Sequence, residues 1–411
     1  MKAGGNWKLL ASLAVFSGVL VSAAAMTFED IGRQVAARNP DLAAARFMIE
    51  EAGGRNLGAG RLMNPELELR GRHMTEGSEA GFGIELMQKF PVTARLRLEK
   101  AVTAAQIAAA KAEVDEMRRM LTTEAETMAV KLLAMRAEVG ITESQAALAE
   151  TLTEVATARA AADESAIDAA QMRLEAGRQR NSIRRMQAEI AAMNELLKPM
   201  LGLTAEQPLD IRGTLPEASA PGGTQPSEFR PDIEAARQRM NAAGQSMDLA
   251  QARKWGDISV GIMVDYARTM DEPMGLRDET MIGVKLTIPL PFWNQNQGEI
   301  AEATAMRART AAEVRALRLK AASQVSSAKR EMERLLPFIT ENNRQLLPLA
   351  RQQIERVREA YSNNNASLQD LLKARDQLLM VEMDRVEALR DFHLAKVRWK
   401  AAVGRGFTDE N

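Results

Sequence analysis

Four short stretches of the chain alternate apolar and polar residues with a period of two, and they interrupt what otherwise reads as helix. In 257–267, Ile258, Val260, Ile262, Val264 and Tyr266 fall on one side, while Ser259, Gly261, Met263 and Asp265 fall on the other. In 281–288, Ile282, Val284, Leu286 and Ile288 oppose Gly283, Lys285 and Thr287. Two earlier stretches follow the same rule less purely: Leu67 and Leu69 against Glu66, Glu68 and Arg70, then Phe82, Ile84 and Leu86 against Gly83 and Glu85. Such alternation predicts strands with one apolar and one polar face, near 65–73, 81–90, 257–267 and 280–290. Between them the spacing is helical, over 27–61, 93–160, 166–201, 229–254, 298–361 and 368–403. A helix of 93–160 would reach about 100 Å at 1.5 Å per residue. A compact domain does not hold such an element; a coiled-coil column does.

The order of elements occurs twice because the sequence does. Asn39-Pro40-Asp41-Leu42-x-Ala44-Ala45-Arg46 aligns with Arg230-Pro231-Asp232-Ile233-x-Ala235-Ala236-Arg237 at an offset of 191. Gly83, Leu86 and Pro91 match Gly283, Leu286 and Pro291 at 200, and Ala101, Ser165, Asp168 and Gly202 match Ala303, Ser367, Asp370 and Gly404 at 202. The expected organisation is therefore 1–25 as a leader, 26–203 and 229–404 as two copies of a helix–hairpin–long helix–helix unit, 204–228 as a Pro/Gly/Ser-rich linker, and 405–411 as a polar tail. Pro337 and Pro348 occur in the second long helix alone, so the two copies are expected to bend differently.

The leader reads as a secretory signal: Lys2 and Lys8 flank the start of an apolar stretch from Leu9 to Val21, and Ala23-Ala24-Ala25 supplies an A-x-A cleavage site. Beyond it no apolar run reaches 18 residues, so no spanning helix is expected. The 411 residues contain 54 Lys+Arg and 55 Asp+Glu, no Cys and 2 His. Near-neutral charge argues against a nucleic-acid partner. The absence of Cys excludes disulfides, thiolate metal sites and Cys nucleophiles. No P-loop, dinucleotide fingerprint or Ser/His/Asp set has usable spacing, so neither an enzyme nor a resident cofactor is expected.

Four strands leave open edges, which are unstable in water or lipid. Either they pack on the chain's own helices, or several chains each contribute four strands to one closed barrel, apolar side to lipid and charges to a lumen. Three chains would give twelve strands.

The segment Ile288-Pro289-Leu290-Pro291-Phe292-Trp293-Asn294-Gln295-Asn296-Gln297-Gly298-x-Ile300 resembles the IPLPxFxRNxGxI signature of the TolC-type outer membrane efflux proteins, in their heavy-metal (CzcC-like) branch. Gln295 stands where that branch usually has Arg; Pro289, Pro291, Asn296 and Gly298 match. Asn64-Pro65-Glu66-Leu67 and Leu201-Gly202-Leu203 also fit, and the resemblance covers the whole chain after the leader. It implies a mainly α fold with membrane β, in which a homotrimer forms a twelve-stranded outer membrane barrel continued by a helical tunnel through the periplasm. It implies lipid-facing Ile258, Val260, Ile262, Val264, Ile282, Val284 and Leu286. It further implies two partners, a periplasmic adaptor and an inner-membrane RND transporter, with heavy-metal cations as cargo; drug or solvent efflux and type I secretion are variants. A periplasmic coiled-coil adaptor or structural protein, whose hairpins never meet lipid, is the alternative of a different class.

The family's tip pattern, Tyr-x-x-Gly-x-x-Ser-x-x-Asp, is matched by Tyr361, Ser367 and Asp370 in the second copy and by Ser165 and Asp168 in the first, while Asn364 and Ala162 stand where it has Gly. By resemblance Asp370 would ring a cation-selective constriction. Locally, Ser367 with Asp370, and Ser165 with Asp168, also read as helix caps. Lys373 could instead pair with Asp370 along the helix. Met117, Met120, Met128 and Met135 recur at helical spacing, as core residues or, less simply, as soft-metal thioethers.

Overall fold

The structure, a computed structural model, describes residues 26–73, 79–160, 166–220, 230–271, 274–363 and 365–404. The leader, the polar tail, Ser165 and Asn364 lie outside these residues. In chain order the elements are α1 (Asp30–Arg38), α2 (Pro40–Gly58), β1 (Glu66–His73), β2 (Ala80–Phe90), α3 (Arg95–Ala160), α4 (Ala166–Met200), α5 (Pro231–Ala252), β3 (Ile258–Asp271), β4 (Gly275–Thr287), α6 (Gln297–Glu341), a π-helical turn (Asn342–Leu346), α7 (Leu347–Ser362) and α8 (Leu368–Val403).

The helix expected over 27–61 is broken at Asn39-Pro40. Pro40 cannot donate a backbone hydrogen bond and holds Asn39 extended, at ψ 125°. The Asn39 side chain caps α2 by accepting from the Leu42 amide at 2.9 Å. The two long helices differ before Pro348, where the second is interrupted by the π-helical turn. Without an amide there the ladder widens, and Leu347 N–H donates to the Asn342 carbonyl, five residues back. Pro337 is absorbed within α6, and α3 runs uninterrupted for 66 residues.

Aligned positions in the two copies make the same contacts. Gly202 and Gly404 both end a last helix in the left-handed region, at φ 68° and 72°. Asn39 donates from Nδ2 to the Met200 carbonyl at 2.9 Å, and its counterpart Arg230 donates to the Ala402 carbonyl at 3.3 Å. The core is built of small and flexible side chains from packed helices, such as Ile31, Val35, Ala125, Ala129, Leu132, Leu197 and Leu201. The described part of the linker lies across the helices as a strap. Met26 and Ile211 form a parallel bridge, and buried His393 bonds the Pro216 carbonyl through Nε2 at 2.8 Å. Burial holds His393 below its ordinary pKa, against the opposing pull of that carbonyl.

Candidate functional site: an open apolar sheet and a capped helical tip

The four strands form one antiparallel sheet in the order β1-β2-β3-β4, so the two hairpins are joined through β2 and β3. β3 runs to Asp271 and β4 starts at Gly275, further toward the hairpin loop than alternation indicates. Register aligns the apolar residues into continuous rows. Leu67, Leu86, Ile262 and Val284 face one another in sequence, as do Leu69, Ile84, Val264 and Ile282. Val260 pairs Leu286 in the next row. Ile258 is half-buried; the others are exposed, Ile282 and Val284 by 75% and 74%. From Ile258 to Tyr266 is eight steps, about 27 Å along the strand. An apolar surface this wide, covered by no helix among the described residues, is what a bilayer or another protein covers. Among the described residues no helix is long and apolar enough to cross a membrane.

The opposite face is charged and tightly packed. Glu85, 1% exposed, receives Arg70 Nη2 at 2.7 Å and Lys285 Nζ at 3.1 Å. Lys89 pairs with Glu66 at 2.7 Å. Glycines make room for these side chains: a Cβ at Gly83 would lie 2.3 Å from Asp265 Oδ1, and one at Gly261 would lie 3.2 Å from Glu85 Oε1. The Arg70–Glu85–Lys285 group does not emerge from the sequence reading, although Arg70, Glu85 and Lys285 are on the polar side there. Only the register brings the three together.

Where sheet meets helices, the signature residues have local work. Asn296 occupies the N-cap position of α6 in the left-handed region, at φ 62°, which Asn tolerates best among residues with a side chain, and its side chain bonds elsewhere than the helix amides. Its Nδ2 donates to the Ala250 carbonyl at 2.9 Å and also to Glu299. Glu299 in turn binds Arg253 at 2.9 Å, and Arg95 joins Glu99 at 3.0 Å to Asp257 at 2.7 Å. Pro289 lies against Gly256, where a Cβ would approach it to 2.7 Å. Gly298 is in the first turn of α6 with nothing within 4 Å of a Cβ there. Pro291 and Gln295 lie in the turn that joins β4 to α6. Trp293, 91% exposed, stacks edge-on to Phe292, and Trp255 precedes β3 at the same end of the sheet. Exposed aromatics at the foot of an apolar sheet are typical of a membrane interface.

At the far end of the helices, Tyr361 is not a surface residue: it is 1% exposed, in a core with Leu152, Met172, Ile354, Leu368 and Leu371. Ser367 and Asp370 form a complete capping box. Asp370 N–H donates to Ser367 Oγ at 3.2 Å, while Ser367 N–H and Oγ donate to Asp370 Oδ2 at 3.1 and 2.6 Å. The Ser367 hydroxyl, then its amide, holds the Asp370 carboxyl below the usual carboxylate value of 3.8; Lys373 adds a weaker pull. Among the described residues Asp370 and Lys373 form no ion pair within 4.0 Å. Asp168 falls in the first turn of α4. Buried Arg375 bridges to Glu175 of α4 at 3.1 Å, a contact that sequence spacing does not reveal.

Removing the cap by Ser367→Ala is expected to cost about 1 kcal/mol of α8 stability and to expose 362–368 to protease. Because the folded Asp370 pKa is lowered, the cap is complete above pH 3.8 and is lost as pH falls through the folded value. Wild type and Ser367→Ala should therefore converge in cleavage rate in that acid range; a constant gap would contradict the assignment.

Residues 227–405 match the model of a family described as outer membrane efflux protein. No curated protein sequence matches the chain. Solved structures match nearly its whole length. The outer membrane protein VceC from Vibrio cholerae aligns at TM-score 0.74 and 20% identity, over 92% of this chain and 96% of that one. CusC, described in connection with transmembrane channel formation, aligns at TM-score 0.76 and 17% identity, over 94% and 96%. The Campylobacter jejuni CmeC outer membrane channel aligns at 0.72 and 13%, over 98% and 93%. The chain thus has the fold of outer membrane efflux channels.

Proposed function

We propose that the chain is one protomer of a trimeric outer membrane exit duct in a tripartite efflux pump, its sheet in the outer membrane and its helices in the periplasm. The observation that carries this reading is the sheet itself, four strands with two open edges and an exposed apolar face continuous across all of them. Closing it with further copies removes the edges and gives the apolar rows to lipid, while the Arg70–Glu85–Lys285 face lines a polar lumen. The helical tip then meets a periplasmic adaptor, and the driving force comes from an inner-membrane RND transporter. Heavy-metal cations are the cargo favoured by the match of Ile288 to Ile300 to the heavy-metal signature.

Fractionated cells should yield a heat-modifiable trimer in the outer membrane. A soluble periplasmic monomer would sink the duct and favour an adaptor or structural role. In planar bilayers, Asp370→Ala should change block of the open channel by divalent cations. Unchanged block would remove Asp370 from the constriction and weaken the cation assignment.

A further inference from the structure

We infer that the second half of the strap, 213–218, is an acid-released latch between the two repeats, held shut by His393. The inference stands apart from the duct reading and concerns how one chain ties its own halves together. Three side chains grip the strap, each by a main-chain carbonyl. Lys198 Nζ donates to Ala205 at 2.7 Å, Arg136 Nη1 donates to Ile211, and His393 Nε2 donates to Pro216 at 2.8 Å. The bridge to Met26 adds main-chain bonds at Asp210 and Arg212. Of these grips, His393 alone acts beyond 212. There Leu215 packs on a core of α1, α3 and α4, and Ala218 packs on a core of α6 and α8. The segment 213–218 thus crosses from the first repeat to the second.

Among the three gripping side chains, only imidazole is of a type that changes charge between pH 5 and 8. His393 is 3% exposed and lies edge-on to Phe392, with ring centroids 5.6 Å apart. A carbonyl only accepts, so Nε2 carries the hydrogen and an added proton must go to Nδ1. The charged groups that act on the ring, Lys396 and Lys400 of its own helix, are both positive. Helix α6 brings Met332, Leu335 and Leu336 to the cluster that holds Phe392. The strap's acid beside Pro216, Glu217, is exposed. Glu138 of α3 answers to Arg390, Glu387 and Glu189 instead. A charged His393 is therefore poorly housed in the closed latch, and lifting the strap gives it to water.

Burial, and after it Lys396 and Lys400, hold the His393 pKa below its ordinary 6.5. The closed latch is accordingly at full strength above pH 6.5 and weakens as pH falls below it. The ratio of open to closed latch rises by up to about tenfold per pH unit until the folded pKa is passed, and then levels off.

The sequence has no Cys, so Ser219→Cys, next to Ala218, can carry a bimane label on the purified full chain in detergent. Trp399 packs on the same cluster as Ala218 and quenches bimane nearby. Emission is read against the same label in Trp399→Phe. It should be quenched at pH 7.5, rise severalfold between pH 6.5 and 5, and fall again on neutralisation. His393→Gln keeps a side-chain N–H donor without the charge and should remain quenched down to pH 5. Lys396→Gln should shrink the acid rise, because one of the two repelling charges is gone. A label as bright as in Trp399→Phe at pH 7.5, one still quenched at pH 5, or a rise undiminished in His393→Gln or Lys396→Gln would each overturn the latch.

Discussion

Val284→Arg is expected to abolish the outer membrane oligomer. Val284 ends the row that begins at Leu67 and is 74% exposed, with no helix among the described residues to cover it. A cation at mid-membrane on the lipid face of a barrel costs about 2–4 kcal/mol, and each copy in a ring would bear that cost. The control is on the same strand. Met281→Arg points to the polar face, across from Asp265 in register, and should assemble as wild type does. Detergent extracts compared for heat-modifiable oligomer decide the matter. Equal yields from Val284→Arg and wild type would mean that this face does not meet lipid, and the sheet would need another cover.

The second large effect is expected in the helices. Gly202→Ala should lower the thermal midpoint markedly, and more than Gly404→Ala does. At φ 68° a side chain already costs about 1–2 kcal/mol. The new Cβ would lie 2.3 Å from the Arg38 carbonyl oxygen and 2.8 Å from Arg38 Cβ, so backbone must shift and the total rises to about 2–4 kcal/mol. At Gly404 the nearest atom is Arg230 Cγ, at 2.9 Å, and a side chain gives way more readily than a carbonyl. Thermal melts of the two variants in one detergent provide the comparison. A Gly202→Ala midpoint equal to that of wild type would mean the turn at the end of α4 is looser than its geometry requires.

The strands were legible because each buries nothing on one side and keeps charge on the other, so period two is written plainly in Val260, Ile262, Val264 and in Ile282, Val284, Leu286. Alternation stops short of the true ends where Arg268 and Asp278 sit on the apolar side and satisfy each other across the ladder at 2.8 Å. An ion pair looks like a pattern break until register joins its halves. Register is also what the sequence lacks for Arg70, Glu85 and Lys285, since residues from three strands meet at one carboxylate. Pro40 is visible in the sequence, yet helical spacing continues across it and masks the break. At the tip, the Ser367–Asp370 cap was readable from spacing alone, because capping is local. The burial of Tyr361 depends on α3 and α8 packing around it, which no window of sequence contains.

The wide turn before Pro348 has a consequence for phase. In the second column the inward positions step by three or four, through Met332, Leu335, Ile339 and Asn342, and resume as Leu347, Ala350, Ile354, Val357 and Tyr361. The single step of five falls on the π turn. Each α-helical residue rotates its neighbour by about 100°, so without that additional residue the whole lower segment would present a different side to α8. Tyr361 and Ile354 would then look outward, and the end of the column would lose its interior. Pro348, which first reads as a bend, thus sets the clocking that brings the tip's packing residues to bear, and the uninterrupted α3 beside it has no such adjustment.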